Sequence, residues 1–221
     1  MRFLAGLIIA GSIYCQGIPN ASFDAPHLNA TVVTYRSRSA TRLVERVASG
    51  GLALPVDGSG GLALLKEPPF HNGIIEVDVA GQPATGAAEA ARGFVGIAFH
   101  VQSDSAKYEV VYLRPTNGRA DDMLRRNHSV QYEAEPDWPW IRLRNESAGV
   151  YESYVDLEPG AWTKYRLVVK GMRAELYVNG SAQPCLIVKD LKLGDVAGAV
   201  ALWIGPGTEA WFANLKVTRQ P

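Results

Sequence analysis

Phe94-Val-Gly-Ile-Ala-Phe-His-Val-Gln102, with Tyr108-Glu-Val-Val-Tyr-Leu-Arg114 shortly after it, is the stretch on which the fold turns. Val95, Ile97, Phe99 and Val101 alternate with Gly96, Ala98 and His100. A period of two puts the large apolar groups on one side of an extended strand. The same period recurs in short segments on both sides: 30–36, 42–47, 52–56, 62–66, 73–79, 130–134, 141–144, 151–157, 162–170, 173–179, 186–191, 196–204 and 210–218. Asp57-Gly58, Asn72-Gly73, Asn117-Gly118, Lys170-Gly171 and Asn179-Gly180 fall at the breaks and supply residues that tolerate positive φ. Residues 120–126 alone suggest a helix, and 81–91, rich in Ala, Gly and Pro, suggest an exposed loop.

So many strands with short connections require two packed sheets or a closed barrel. The expected fold is all-β, a two-sheet antiparallel jelly-roll sandwich. Its inner faces would hold Ile75, Val77 and Val79, then Val95, Ile97, Phe99 and Val101, then Val200, Leu202 and Ile204. The opposite faces would carry Glu76 and Asp78, then Gly96, Ala98 and His100, then Ala199, Ala201 and Trp203. Small residues beside an aromatic ring and polar groups suit a shallow sugar groove, and they equally suit an ordinary wet face.

The 221 residues carry 22 Lys and Arg against 22 Asp and Glu, so no global field favours nucleic acid or an anionic membrane. Met1-Arg2, the apolar run Phe3 to Tyr14 and the small and polar residues after it have the order of a secretory signal. The expectation is a signal peptide over 1–20, a single sandwich domain over 21–221, and a secreted or periplasmic location. Cys15 also stands where a lipoprotein would be cleaved, but bulky Tyr14 precedes it. No other run is long enough to span a bilayer. Removal of the leader leaves Cys185 alone, read as a buried strand residue rather than a catalytic thiol. Asn-x-Ser/Thr sequons begin at Asn20, Asn29, Asn127, Asn145 and Asn179 and are read as chance occurrences. His27, His71, His100 and His128 lie too far apart to form a metal motif, and no phosphate loop or nucleophile elbow is visible. No cofactor and no metal is expected, and nothing in the sequence sets the oligomeric state.

Tyr108-Glu-Val-Val-Tyr-Leu-Arg-Pro-Thr-Asn117, Arg126-Asn-His-Ser-Val-Gln-Tyr132, Trp138-Pro-Trp140 and the run from Gly194 to Val217 together resemble the concanavalin A-like lectin and glucanase superfamily. More narrowly, they resemble secreted bacterial domains labelled family-sixteen-like glycoside hydrolases or 3-keto-disaccharide hydrolases. The resemblance spans roughly residues 30–219. It implies carbohydrate bound across a concave sheet, and it does not by itself imply catalysis.

Retaining glucanases of that superfamily carry Glu-x-Asp-x-x-Glu or Glu-x-Asp-x-Glu, which sets two carboxyls about 5 Å apart. Here Glu76-Val77-Asp78 begins the pattern, but Ala80 and Gly81 stand where the second Glu belongs. Polysaccharide lyases on similar folds use a neutral His or Tyr as base, with Arg, Asn or Gln neutralising the uronate carboxylate so that its α-proton becomes acidic. His128, Tyr132 and Arg114 are the catalytic candidates on that reading, with Asn117, Arg126 and Gln131 beside them. Strand alternation puts His128 with Tyr132 and turns Gln131 the other way. The expected groove is built around Arg114, His128, Gln131, Trp138, Trp140 and Trp203, with His100, Tyr112 and Asn117 as further candidates. Three functions stay open: a carbohydrate-binding domain, a glycan-active hydrolase or lyase, and a protein-interaction module without sugar.

Overall fold

The computed structural model describes residues 23–46 and 61–220, which form fourteen strands in two antiparallel sheets of seven. In the first sheet the spatial order is β1 (Phe23–Asp24), β4 (Gly61–Leu65), β13 (Ala199–Ile204), β6 (Val95–Val101), β7 (Tyr108–Leu113), β8 (Val130–Glu135) and β9 (Glu152–Ser153). The second runs β12 (Leu186–Val188), β11 (Arg173–Val178), β10 (Thr163–Lys170), β5 (Asn72–Pro83), β14 (Thr208–Gln220), β3 (Arg38–Glu45) and β2 (Leu28–Tyr35). The expected leader over 1–20, with Cys15, and the expected strand over 52–56 lie outside the described residues.

Ile75, Val77 and Val79 of β5, Val95, Ile97 and Phe99 of β6, and Val200, Leu202 and Ile204 of β13 join one buried cluster between the sheets, as their alternation requires. Val101 does not. His100 takes φ +52°, and the ladder to β13 shifts register between Ala199 and Ala201. This irregularity inverts the alternation, so Val101 joins Ala98, Tyr108, Val110, Tyr112, Ala201 and Trp203 on the outer face of the first sheet.

The same irregularity takes His100 off the outer face. Its ring is fully buried, with Nδ1 2.7 Å from Glu109 Oε2 and Nε2 2.9 Å from the His71 carbonyl oxygen. Tyr132, which alternation directs into the core from β8, donates to Glu109 Oε1 at 2.7 Å and accepts from the Lys192 amide at 2.7 Å. Glu109, His100 and Tyr132 thus satisfy one another inside an otherwise apolar layer, as buried polar groups must.

Two segments depart from the strand reading. Residues 141–144 lie within a helix, α2 (Trp140–Glu146), which opens behind Pro139 and carries an Arg142–Glu146 pair at 2.8 Å one turn apart. A short apolar run does not distinguish the two states, and a proline at the helix start selects this one. Residues 151–157 pair only at β9. The helical expectation near 120–126 is met by α1 (Met123–Arg126), capped by the Asp122 carboxylate. Cys185 precedes β12, and burial pushes its thiol up to about 12, which withholds thiolate chemistry at neutral pH. Among the described residues no helix is long and apolar enough to cross a membrane.

Tyr132→Phe leaves the Lys192 amide unpaired and removes a donor from Glu109, and is expected to cost about 1–3 kcal/mol in equilibrium urea unfolding. His100→Ala, which strips a buried carboxylate of its ring partner, is expected to cost more, about 3–5 kcal/mol.

Candidate functional site

A cleft of about 1310 Å³ opens on the outer face of the first sheet. Its floor follows from the strand registers. Trp203, Gly96, Tyr112, Gln131 and Glu152 lie opposite one another in a single row across β13, β6, β7, β8 and β9. Gly96 matters here because a Cβ would stand 2.2 Å from the Val111 carbonyl oxygen and 2.7 Å from Tyr112 Cβ. With no side chain between them, the Tyr112 and Trp203 rings meet at 4.7 Å, and Phe94 meets Tyr112 edge-on at 5.9 Å.

The walls come from the loop over 86–94, from the turn and α1 that follow β7, and from α2 with the segment after it. Arg114 ties them to the floor. It donates from Nη2 to the Tyr112 hydroxyl at 2.9 Å and from Nη1 to the His128 carbonyl at 3.2 Å, and its guanidinium lies 5.8 Å from the Trp140 ring centre. Asn117 donates to the same His128 carbonyl at 3.1 Å. Tyr112 in turn donates its hydroxyl to Glu133.

Two titratable groups in the cleft are displaced from their ordinary behaviour. Burial pushes the Glu133 carboxyl from 4.5 up to about 8; a hydrogen bond from protonated Glu133 to Glu135 and that group's charge add to the effect, while Tyr112 and Arg114 oppose it. Glu133 therefore holds its proton to higher pH than an ordinary carboxyl. His128 is shifted the other way, below 6.5, first by loss of water and then by the cations of Arg144 and Arg114, against the pull of Glu152. Its Nδ1 lies 2.7 Å from Glu152 Oε2 but outside hydrogen-bond alignment. Glu152 is instead bonded by Arg144, from Nη2 at 2.7 Å and Nε at 3.1 Å.

Of the residues singled out from the sequence, Tyr112, Arg114, Asn117, His128, Trp140 and Trp203 line this cleft. His100 and Tyr132 lie behind the sheet, bound to Glu109. Gln131 sits in the floor row but is buried, its amide nitrogen donating to the carbonyls of Tyr132 and Tyr151. Trp138 faces away from Trp140, with the cations of Arg142 at 3.7 Å and Lys192 at 4.7 Å from its ring. Arg126 donates to the Ala120 carbonyl. Glu76 and Asp78 belong to the second sheet, where Asp78 accepts from Arg38 at 2.9 Å and Asn214 at 2.6 Å.

Sequence reasoning missed Glu133, Arg144 and Glu152. Alternation with Val130, Tyr132 and Ala134 was a signal available for Glu133. Arg144 had none, because its segment reads equally as strand and helix.

If burial sets the Glu133 proton, the folded state binds one more proton than the unfolded chain between pH about 4.5 and 8. That contribution to stability is then full below about 4.5 and lost as pH rises to about 8. Glu133→Gln has no proton to lose, so its urea-unfolding free energy should fall less over this window than that of the parent; equal slopes would assign the dependence to another group.

The model of the family described as 3-keto-alpha-glucoside-1,2-lyase-like domain matches residues 20–218. No curated protein matches the sequence. Among solved structures the chain is similar to the carbohydrate binding module CBM66 from Bacillus subtilis, at 12% identity and TM-score 0.55 over 88% of this chain and 93% of that one. It is also similar to a galectin-like protein of unknown function from Bacillus subtilis, at 10% identity and TM-score 0.53 over 91% and 92% of the two chains. A native glycosidic hydrolase matches at 12% identity and TM-score 0.52, over 92% of each chain. At these identities the likeness shows a shared fold, the two-sheet β-sandwich. The family match covers nearly the whole sequence, and the chain belongs to that family.

Proposed function

We propose that the cleft binds a glycoside bearing a ketone at C3 and eliminates the substituent at C1. Family membership supports this reading, and one observation carries it: His128 and Glu133 line the same cleft, and Arg114 bonds both the His128 carbonyl and the Tyr112 hydroxyl that donates to Glu133.

A C3 ketone makes the C2 hydrogen acidic, because the electron pair left behind passes into the C2–C3 bond and onto the ketone oxygen. The pair then returns to form a C1–C2 double bond as the C1–O bond breaks, and the departing oxygen takes up a proton. No electrons are gained or lost, and no water is consumed. His128, uncharged at neutral pH, is suited to remove the C2 proton. Arg114, held by Tyr112 and the His128 carbonyl, is suited to stabilise the enolate oxygen. Glu133, protonated up to about pH 8, is suited to protonate the leaving oxygen.

The cleft exceeds the roughly 300–1,000 Å³ of common small-molecule sites, which leaves room for a disaccharide. Trp140 and Tyr154, 39% and 46% exposed, offer rings at its rim on which a pyranose face can stack. These exposed rings also favour a second reading, binding without turnover. The leader-like order of residues 1–20 supports a site of action outside the cytoplasm for either activity.

Incubation with a 3-keto-disaccharide should raise ultraviolet absorbance as the conjugated 1,2-unsaturated ketone forms. His128→Asn and Glu133→Gln should lower kcat by about 10²–10⁴-fold while binding persists. Trp140→Ala should weaken binding by at least about 1 kcal/mol. Reducing sugar without the unsaturated ketone would mean hydrolysis, and binding without any product would leave a binding domain.

A further inference from the structure

We infer that Arg92, Arg114 and Arg125 form an anion subsite in the wall of the cleft, one that takes a carboxylate, sulfate or phosphate carried by the sugar. The inference rests on the reading of this cleft as a sugar site and adds the substrate's charge class to it.

All three arginines line the cleft, and their hydrogen bonds go to neutral groups. Arg92 Nη1 donates to the carbonyls of Glu89 at 2.5 Å and Ala91 at 3.1 Å. Arg114 donates to the Tyr112 hydroxyl and the His128 carbonyl. Arg125 donates from Nε to Asn117 Oδ1 at 2.9 Å, and from Nη2 to Thr116 Oγ1 at 3.1 Å and the Thr116 carbonyl at 3.4 Å. By contrast, Arg38, Arg42, Arg119, Arg142, Arg144 and Arg173 each contact a carboxylate within 3 Å. The cleft cations are held in place without being neutralised.

They are also close enough to repel one another. Loss of water, then Arg125 and Arg114, hold the Arg92 guanidinium below its ordinary value, and Glu89 offsets only part of this. The cleft's own carboxyls are engaged elsewhere. Glu45 accepts the Gly207 amide at 3.1 Å, Asp122 caps the amides of Leu124 and Arg125, Glu152 is bonded by Arg144, and Glu133 keeps its proton. Neutral amides could tie these loops together equally well. Three gathered guanidinium groups do so only against mutual repulsion, which a bound anion relieves, and the planar forks match the oxygens of a carboxylate, sulfate or phosphate.

The test measures tryptophan fluorescence during titration with methyl glucoside, methyl glucuronide, methyl glucoside 6-sulfate and inorganic phosphate. At least one charged sugar should bind about tenfold or more tightly than the neutral one at low salt. This preference should shrink between about 0.05 and 0.5 M salt. It should disappear in the Arg92→Gln, Arg125→Gln double variant, neither residue of which is assigned to the elimination. Should that variant fail to fold, the salt dependence of the parent protein decides. Equal binding of charged and neutral sugars, or a preference that persists in the folded variant or at high salt, overturns the anion subsite and leaves the sugar cleft standing. Arginine-dependent binding of phosphate without binding of any sugar upholds the anion subsite and overturns the sugar cleft. No binding of any probe overturns both.

Discussion

A side chain on a β-strand faces one of two sides, and along β7 and β8 that choice separates core from chemistry. Val111, Leu113, Val130, Tyr132 and Ala134 close the space between the sheets. Tyr112 and Glu133 turn the other way and meet across the two strands. Shifting either strand by one residue would exchange these sets, placing carboxyls in the apolar layer and opening the core to water. The packing of the sandwich therefore holds the cleft in register. Gly96 acts within the same frame, because only a residue without Cβ fits between Val111 and Tyr112 in that row.

Polar groups appear on both sides of this sheet, and they are treated differently. Behind it, Glu109 is given enough donors, from Tyr132, the Leu193 amide and the His100 side, to be fully enclosed. In front of it, Glu133 is 5% exposed, and the hydroxyl of Tyr112 and the charge of Arg114 do not offset its loss of water, so it retains a proton. The first arrangement is a structural joint. The second leaves a group that releases its proton at higher pH than an ordinary carboxyl, in the same cleft as a histidine shifted the other way.

The β-sandwich is shared with proteins that range from a carbohydrate binding module to a glycosidic hydrolase, so the fold alone does not choose between binding and chemistry. The choice lies in the cleft walls. Arg114, fixed at the end of β7, joins the floor tyrosine to the segment carrying His128, while α2 brings Trp140 and Arg144 over the same opening. These walls are made of turns and short helices, which can vary without disturbing the core.

The sequence by itself determined the two-sheet sandwich, the inward sets of β5, β6 and β13 up to Phe99, and the outward Tyr112 and Trp203. These follow from a period of two that the strand residues obey locally, up to the irregularity at His100. Only the tertiary structure decided the rest. A positive φ at His100 withdrew that ring from the face where alternation had put it. Pro139 set α2 in place of a strand and parted Trp138 from Trp140. The carboxyl of Glu133 and the imidazole of His128 are shifted in opposite directions by burial and by groups as far along the chain as Tyr112, Arg114 and Glu152. Alternation is written in neighbouring residues, whereas burial and charge depend on which distant residues the fold brings alongside.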